Sequence, residues 1–436
     1  MTTIRRSLRA AMLMAAAASV LAFAGEAKAQ NWNPNDNTWP YATHHNSPVL
    51  AVVGDIACQP GEVEPQGEKG NEACDNPKSP YTSTSLWQSQ EATANQIEAM
   101  QPDLVALLGD LQYQVGQFQD FEGSFDLTYG AFKFLHRPSP GNHEFYDEHG
   151  ATGVAGYGYF SYYNGYQVDT SGNPITVTLA DPCPSTMTGC GYPGATASNP
   201  QPVPRPHGQA GQFEEMGGVG GTIPSGGTVG VGDGWYSYNV GSWHLISLNI
   251  ECETAPGGCS NTGSWFAAEL EWLKKDLEQN HSACTAAYWH QPTFSAANSI
   301  SEEGITAQAF WQLLYDHKAD LVLNGHDHLY ARYRPLDAFG NSDPKKGIRE
   351  FIVGTGGETL DTPVTTDTTM ADPSGNPNFN AQNLESYSGD YWGVMALTLG
   401  EHGYQWDFEP ALEKPGDSAG PFSDKGFASC HGGQDW

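Results

Sequence analysis

Positive charge is what this chain has least of. Its 436 residues hold 19 Lys and Arg against 50 Asp and Glu, a formal net charge of −31. A surface that acidic repels nucleic acid and anionic membrane at long range, so neither is expected as a partner. Long apolar runs are scarce as well. The longest, residues 11–24, has about 14 residues, where a helix needs roughly 20 to span a bilayer. Eight cysteines are present without a Cys-x-x-Cys pair, which argues against a zinc knuckle or a dithiol redox centre.

The one apolar run belongs to a targeting segment. Arg5, Arg6 and Arg9 precede it and Ala27-Lys28-Ala29 follows as a small-x-small cleavage site, so residues 1–29 read as a signal peptide. Arg5-Arg6 with Leu8 loosely resembles a twin-arginine signal; plain secretion is the simpler reading. Loss of this segment removes four bases and one acid, giving (19 − 4) − (50 − 1) = −34. The mature chain is expected to be exported, periplasmic or extracellular, and to carry disulfides. Proximity suggests Cys58–Cys74, Cys183–Cys190 and Cys252–Cys259, which leaves Cys284 and Cys430 to close a long loop.

Residues 30–47 are polar. Beyond them, short apolar runs recur: PVLAVVGD at 48–55, DLVALLGD at 103–110, and LVLNGHDH at 321–328. Each reads as a buried strand that ends in Gly and hands over to an acid or a histidine. Helical spacing marks 85–100, 264–278 (with Ser264 a cap) and 306–317, while 234–240 and 243–249 alternate like paired strands. Further strands are expected at 286–289, 350–354, 392–399 and 404–408. The stretch 166–233 is dense in Gly and Pro and reads as an insertion. Strands that alternate with helices and then pair antiparallel predict an α/β fold with mixed sheets and outer helices.

Five stretches carry chemistry: Gly54-Asp55, Gly109-Asp110-Leu111-Gln112-Tyr113, Gly141-Asn142-His143-Glu144, His290, and Gly325-His326-Asp327-His328. Singly, Asp55 and Asp110 read as turn caps and Tyr113 as core packing. Together they offer carboxylate, phenol, amide and imidazole donors at strand ends, the edge where ligands bind in α/β sheets. That donor set suits a pair of hard-to-borderline ions rather than a closed structural zinc. Phosphate ester hydrolysis would use such a pair, about 3.5–4 Å apart, to lower the pKa of water and to neutralise the transferring group.

The ordered motifs GD…GDxxY…GNHE…H…GHxH resemble those of the calcineurin-like metallophosphoesterases, and of the purple acid phosphatase branch in particular. The resemblance runs from about Pro48 to His431 apart from the insertion, through GIREFIVGTGG (347–357) and Tyr-x-Trp-x-Phe (404–408), and looks closest to secreted bacterial phosphatases. It implies a four-layer αββα sandwich of two mixed β-sheets flanked by helices. The catalytic domain would be 48–409, with 166–233 inserted and 410–436 a disulfide-tethered tail. By matching positions, Asp55, Tyr113 and His328 would hold one ion, Asn142, His290 and His326 the second, and Asp110 would bridge them. His143 would be the catalytic group over the phosphate.

Three departures stand out. The superfamily's first motif is usually Asp-x-His, and here Ala57 occupies the histidine's place. Tyr113 would supply the missing ligand, which implies Fe(III) there beside a divalent ion (Zn, Fe or Mn). Plant-type members have a His-His pair after the position of His290, whereas residues 291–301 hold no histidine. Ala331 stands where an acid is usual. The function implied is an exported binuclear-metal phosphatase that hydrolyses small phosphomonoesters. Competing readings are a phosphodiesterase or nucleotidase on the same site, and a secreted binding protein without catalysis. A gapless ligand set speaks against the last.

Overall fold

The computed structural model describes residues 47–60, 74, 86–146, 156–164, 167–168, 174–175, 234–252, 258–262, 264–295, 297, 302–362, 383–414 and 422–433. The expected signal segment, nearly all of 30–47, the expected Cys183–Cys190 pair and most of 166–233 lie outside them.

Two mixed sheets form the frame. The first holds β1 (Val49–Val53), β2 (Leu104–Leu108), β3 (His136–Ser139), β13 (Tyr391–Leu399), β14 (Gly403–Glu413) and β15 (Asp424–Ser429), in the order β15-β14-β13-β1-β2-β3. The second holds β6 (Tyr236–Val240), β7 (Trp243–Ser247), β8 (Cys284–Tyr288), β9 (Leu321–Asn324), β10 (Tyr330–Tyr333), β11 (Arg349–Val353) and β12 (Leu384–Ser388), ordered β12-β10-β11-β9-β8-β7-β6. Parallel pairing joins β1, β2 and β3 in one sheet and β7, β8, β9 and β11 in the other. A two-stranded ribbon, β4 (Gln167–Val168) with β5 (Pro174–Ile175), lies within the insertion.

Alternation along the strands builds the layers, because successive side chains point to opposite faces. Leu50, Val52, Leu104 and Leu108 share one core cluster with Leu321, Leu323, Ala286 and Tyr288 of the other sheet, so these faces meet in the middle. Ala51, Val53, Val105 and Leu107 turn the other way, onto Ala94 and Ile97 of helix α1 (Leu86–Met100). Across the molecule, Ile246, Ala287 and Val322 point outward. They meet Trp272 and Leu273 of α4 (Trp265–Gln279) and Phe310 and Trp311 of α6 (Gln308–Asp316). Three cores separate four layers, helix, sheet, sheet and helix, as expected. Between α1 and α4 come α2 (Asn142–Phe145) and α3 (Tyr157–Asn164), and α5 (Glu302–Thr306) precedes α6. Ser264 does cap α4: its hydroxyl accepts from the Ala267 N–H at 3.2 Å, a contact worth about 1 kcal/mol.

The C-terminal segment differs from a tail. β14 continues to Glu413, and residues 424–429 form the edge strand β15, in register from Gly403↔Ser429 to Phe408↔Asp424. Only alternate side chains of this edge are covered, so its sequence, DKGFAS, carries little apolar signal. Strand β3 (HRPS) escapes a sequence reading too; it holds Pro138 and lies at the sheet's other edge, where proline is tolerated. The expected tether is present, Cys284–Cys430, along with Cys58–Cys74 and Cys252–Cys259. No helix among the described residues is long and apolar enough to cross a membrane.

Candidate metal centre

Four strands end two residues before a predicted ligand: β1 before Asp55, β2 before Asp110, β8 before His290 and β9 before His326. The parallel pairing aligns those carboxyl ends, and the two sheets are stitched together there by the Gly54 N–H donating to Val353 O at 2.9 Å. The loops after β1 and β2 run on side by side. Asp55, Ile56 and Ala57 donate their N–H groups to the carbonyls of Gly109, Asp110 and Leu111, and the Tyr113 N–H returns to Ala57 O at 2.9 Å. Ala57 thus contributes backbone, and that backbone fixes where Tyr113 begins.

Asp55 (φ 60°), Asp110 (φ 47°) and His326 (φ 68°) all adopt the left-handed region, which costs a non-glycine residue about 1 kcal/mol or more. Such strain gathers at functional sites because the surrounding contacts hold it in place. Gly141 is needed for a different reason. A Cβ there would lie 2.3 Å from Asp110 Oδ1.

All seven predicted ligands converge, in two half-sites. In one, Tyr113 Oη lies 3.1 Å from Asp55 Oδ1 and 3.0 Å from His328 Nε2, and His328 Nε2 lies 3.4 Å from Asp55 Oδ1. In the other, His290 Nε2 lies 3.1 Å from Asn142 Oδ1 and 3.3 Å from His326 Nδ1. Asp110 Oδ2 touches both, at 3.2 Å from Tyr113 Oη and 3.0 Å from His290 Nε2. His143 stands beside them, its Nε2 3.8 Å from Asp110 Oδ2.

Outer contacts settle which ring nitrogens face inward. Carbonyl oxygens accept from the Nδ1 of His290 (Leu108 O, 2.8 Å), His328 (Thr359 O, 2.8 Å) and His143 (Gln114 O, 2.5 Å). Each of these rings therefore presents Nε2 to the centre. The Asp361 carboxylate accepts the His328 N–H at 3.0 Å, and Asp55 Oδ2 accepts the His326 N–H at 2.9 Å.

The electrostatics are those of a buried anionic cluster. Burial pushes Asp110 up, but His290 and His143 outweigh it and hold the carboxyl well below its usual range. Burial pulls His290 down, yet Asp110 lifts it to about 10, while burial and His290 press His326 down to about 3. Burial, then Asp110 and Asp55, keep the Tyr113 phenol far above its ordinary pKa. A phenol so placed ionises only against strong positive charge. The donor set fits metal ions on this ground. Carboxylates, an amide oxygen and ring lone pairs face one another at 3.0–3.4 Å, a grouping that gains from cations at its centre.

Sequence reading passed over four contributors. Glu144, quoted inside GNHE but given no task, accepts four backbone N–H groups: Asp110 (2.9 Å), Leu111 (2.8 Å), Gln112 (3.1 Å) and Gly141 (2.7 Å). Asp361 orients His328, and Gln291 Nε2 lies 3.4 Å from Asn142 Oδ1. Tyr146 follows α2, and its phenol oxygen accepts from Asn142 Nδ2 at 3.2 Å. Of the remaining histidines, His136 pairs with Tyr163, and His244 with Asn239 and Asp276.

Two face-to-face mixed sheets, helices outside, and ligand-rich loops gathered at the carboxyl ends are the architecture of a metallophosphoesterase. The family model for Calcineurin-like phosphoesterase matches residues 48–330, and the chain belongs to that family. Purple acid phosphatase 15 of Arabidopsis thaliana is 33% identical over 127 residues, 28% of this chain and 22% of its own length. An acid phosphatase of Aspergillus ficuum is 28% identical over 161 residues, 28% of this chain and 25% of that protein. The alignments thus span about a quarter of each relative. Among solved structures, a purple acid phosphatase from yellow lupin (Lupinus luteus) seeds is similar at a TM-score of 0.48 and 16% identity, covering 88% of this chain and 54% of that one. Family membership implies a binuclear metal centre.

Proposed function

We propose that the protein is an exported binuclear metallophosphatase that hydrolyses phosphomonoesters. One observation carries this reading: two half-sites of inward-facing acceptors share a single carboxylate oxygen, Asp110 Oδ2. Asp55, Tyr113 and His328 would hold the first ion, Asn142, His290 and His326 the second, with Asp110 between them. Such a pair supplies positive charge for the phosphoryl oxygens and lowers the pKa of water. The phenolate donor favours Fe(III) in the first position and leaves a divalent ion (Zn, Fe or Mn) for the second. Two carboxylates and one phenolate then face five formal positive charges, and the surplus suits a dianionic terminal phosphate despite the acidic chain.

The protein's own groups do the rest. Gln114 O holds His143 Nδ1–H, so Nε2 is turned toward the cluster. From there it can donate to a phosphoryl oxygen or to the departing ester oxygen. Glu144 ties the Asp110 loop to the loop that begins at Gly141, so the bridging carboxylate and His143 keep one spacing. Export is supported by residues 1–29 and by three disulfides. The names of the relatives, acid and purple acid phosphatases, favour the monoester class.

The test compares kcat/KM for an aryl phosphate and its matching diester, with metal analysis, on the protein and on Asp110→Asn. Monoester preference, two ions per chain and a fall in kcat of a hundredfold or more in the variant are expected, on the order of one lost electrostatic stabiliser. A diester preference would move the assignment to a phosphodiesterase. Near-normal turnover and full metal content in Asp110→Asn would remove the bridge.

A further inference from the structure

Tyr146 lies four residues after Asn142, as the first residue beyond α2, and its N–H donates to Asn142 O. That spacing puts both side chains on one face of the turn. The Tyr146 oxygen uses a lone pair to accept from Asn142 Nδ2 at 3.2 Å. Its own hydrogen is not spent in that contact, and no acceptor for it is found among the described residues. The ring stands edge-on to His143, with centroids 5.0 Å apart at 62°. Tyr113, inside the cluster, is 1% exposed; Tyr146 is 38% exposed. It therefore stands at the rim of the centre, next to His143, whose Nε2 lies 3.8 Å from Asp110 Oδ2.

We propose that Tyr146 is a substrate-binding residue: its O–H donates to a phosphoryl oxygen of the bound monoester, and its ring walls the leaving-group side. The inference rests on the phosphatase reading above and adds to it a phosphate donor outside the ligand set. A purely supporting role would need only the lone pair that holds Asn142. That amide is already placed from its other end by Gln291 Nε2, at 3.4 Å from Oδ1. Residues 291–301 offer no histidine to the leaving group. An exposed phenol beside His143 is the donor this chain does place there.

The experiment measures inorganic phosphate binding to the metal-loaded full chain by calorimetry, with metal content by elemental analysis and steady-state kinetics alongside. Tyr146→Phe keeps the ring and removes the donor. Its phosphate Kd should rise about tenfold or more, the effect of one lost hydrogen bond to an anion, with KM rising in parallel and both ions retained. Tyr146→Leu should in addition lower kcat/KM more for an aryl phosphate than for a small alkyl phosphate. Unchanged phosphate affinity in Tyr146→Phe, in a protein whose wild type binds phosphate and turns over, overturns this inference alone. Lost metal with unchanged affinity in the loaded fraction reduces Tyr146 to a support for Asn142 and overturns it as well. A metal-loaded wild type that neither binds phosphate nor cleaves a monoester overturns it together with the phosphatase reading.

Discussion

Glu144→Gln changes one oxygen to nitrogen at a position that touches no proposed substrate. Glu144 Oε1 accepts from Leu111 and Gln112, and Oε2 from Asp110 and Gly141. A glutamine presents one oxygen and one NH2, so in either orientation two backbone N–H groups face a donor. Each hydrogen bond to a charged acceptor is worth about 1.5–3 kcal/mol, so two lost bonds cost about 3–6 kcal/mol. The remaining pair weakens too, since its acceptor becomes neutral. Burial and Asp110 push this carboxyl up to about 8, and the Gly141 and Gln112 N–H groups pull the other way. With four donors and no acceptor around it among the described residues, the ionised form satisfies every contact, so the variant is compared above pH 8, where that form prevails. A domain is stable by about 5–15 kcal/mol, so the loss would place the variant near the edge of folding, with the Asp110 loop the first part to loosen. Urea unfolding and metal analysis of the purified variant measure both effects. A Glu144→Gln protein within 1 kcal/mol of wild type, with both ions bound, would refute this account of how the two loops are held.

Other perturbations follow the same reasoning. If Tyr113 binds Fe(III) as phenolate, the protein should be pink to violet, and Tyr113→Phe should abolish the absorption band and weaken retention of that ion; colourless, fully active two-zinc protein would refute the assignment. The Cys284–Cys430 bond closes a loop of 146 residues, so a Cys284→Ser, Cys430→Ser double variant should lose up to about 5 kcal/mol by the chain-entropy argument; peptide mapping that finds both thiols free in exported protein would sink it. Burial raises Asp320 to about 6, against the Thr285 and His431 N–H groups that pull it down. Its folded pKa exceeds the unfolded one, so it adds stability below about pH 4 that is lost as pH rises through 6, on the order of 2–3 kcal/mol. Asp320→Asn should flatten the denaturation midpoint between pH 4 and 6.5, and an unchanged slope would count against it.

The candidate ligands were legible because of how a buried strand ends. Apolar runs such as VLAVV and LVALL are covered on both faces, so they stand out from their surroundings. The chain can leave such a sheet only through Gly and a turn, and the residue just beyond sits at the carboxyl edge. Asp55, Asp110 and His326 could therefore be placed without coordinates. Glu144 could not be given its task the same way. Its value lies in four N–H groups from residues 110–112 and 141, and a sequence does not say which loop closes over which carboxylate. Tyr146 is similar, since its exposure and its partner appear only once α2 turns it beside His143.

By itself the sequence determined the apolar strands such as β1, β2 and β9, their two-residue handover to acids and histidines, and the chemical kind of the candidate site. Those are local properties, set by periodicity, glycine placement and side-chain type. The tertiary structure alone decided the partners. Strand β1 lies between β2 and β13, with Val49 opposite Thr398, a pairing across most of the chain that no local pattern encodes. β3 and β15 became strands because neighbouring edges offered them hydrogen-bonding groups, not because HRPS or DKGFAS favours extension. The same closure brought Asp110 Oδ2 within reach of both Tyr113 and His290. Long-range backbone pairing sets that distance, and so only the folded sheets could bring two sets of candidate ligands to one shared carboxylate oxygen.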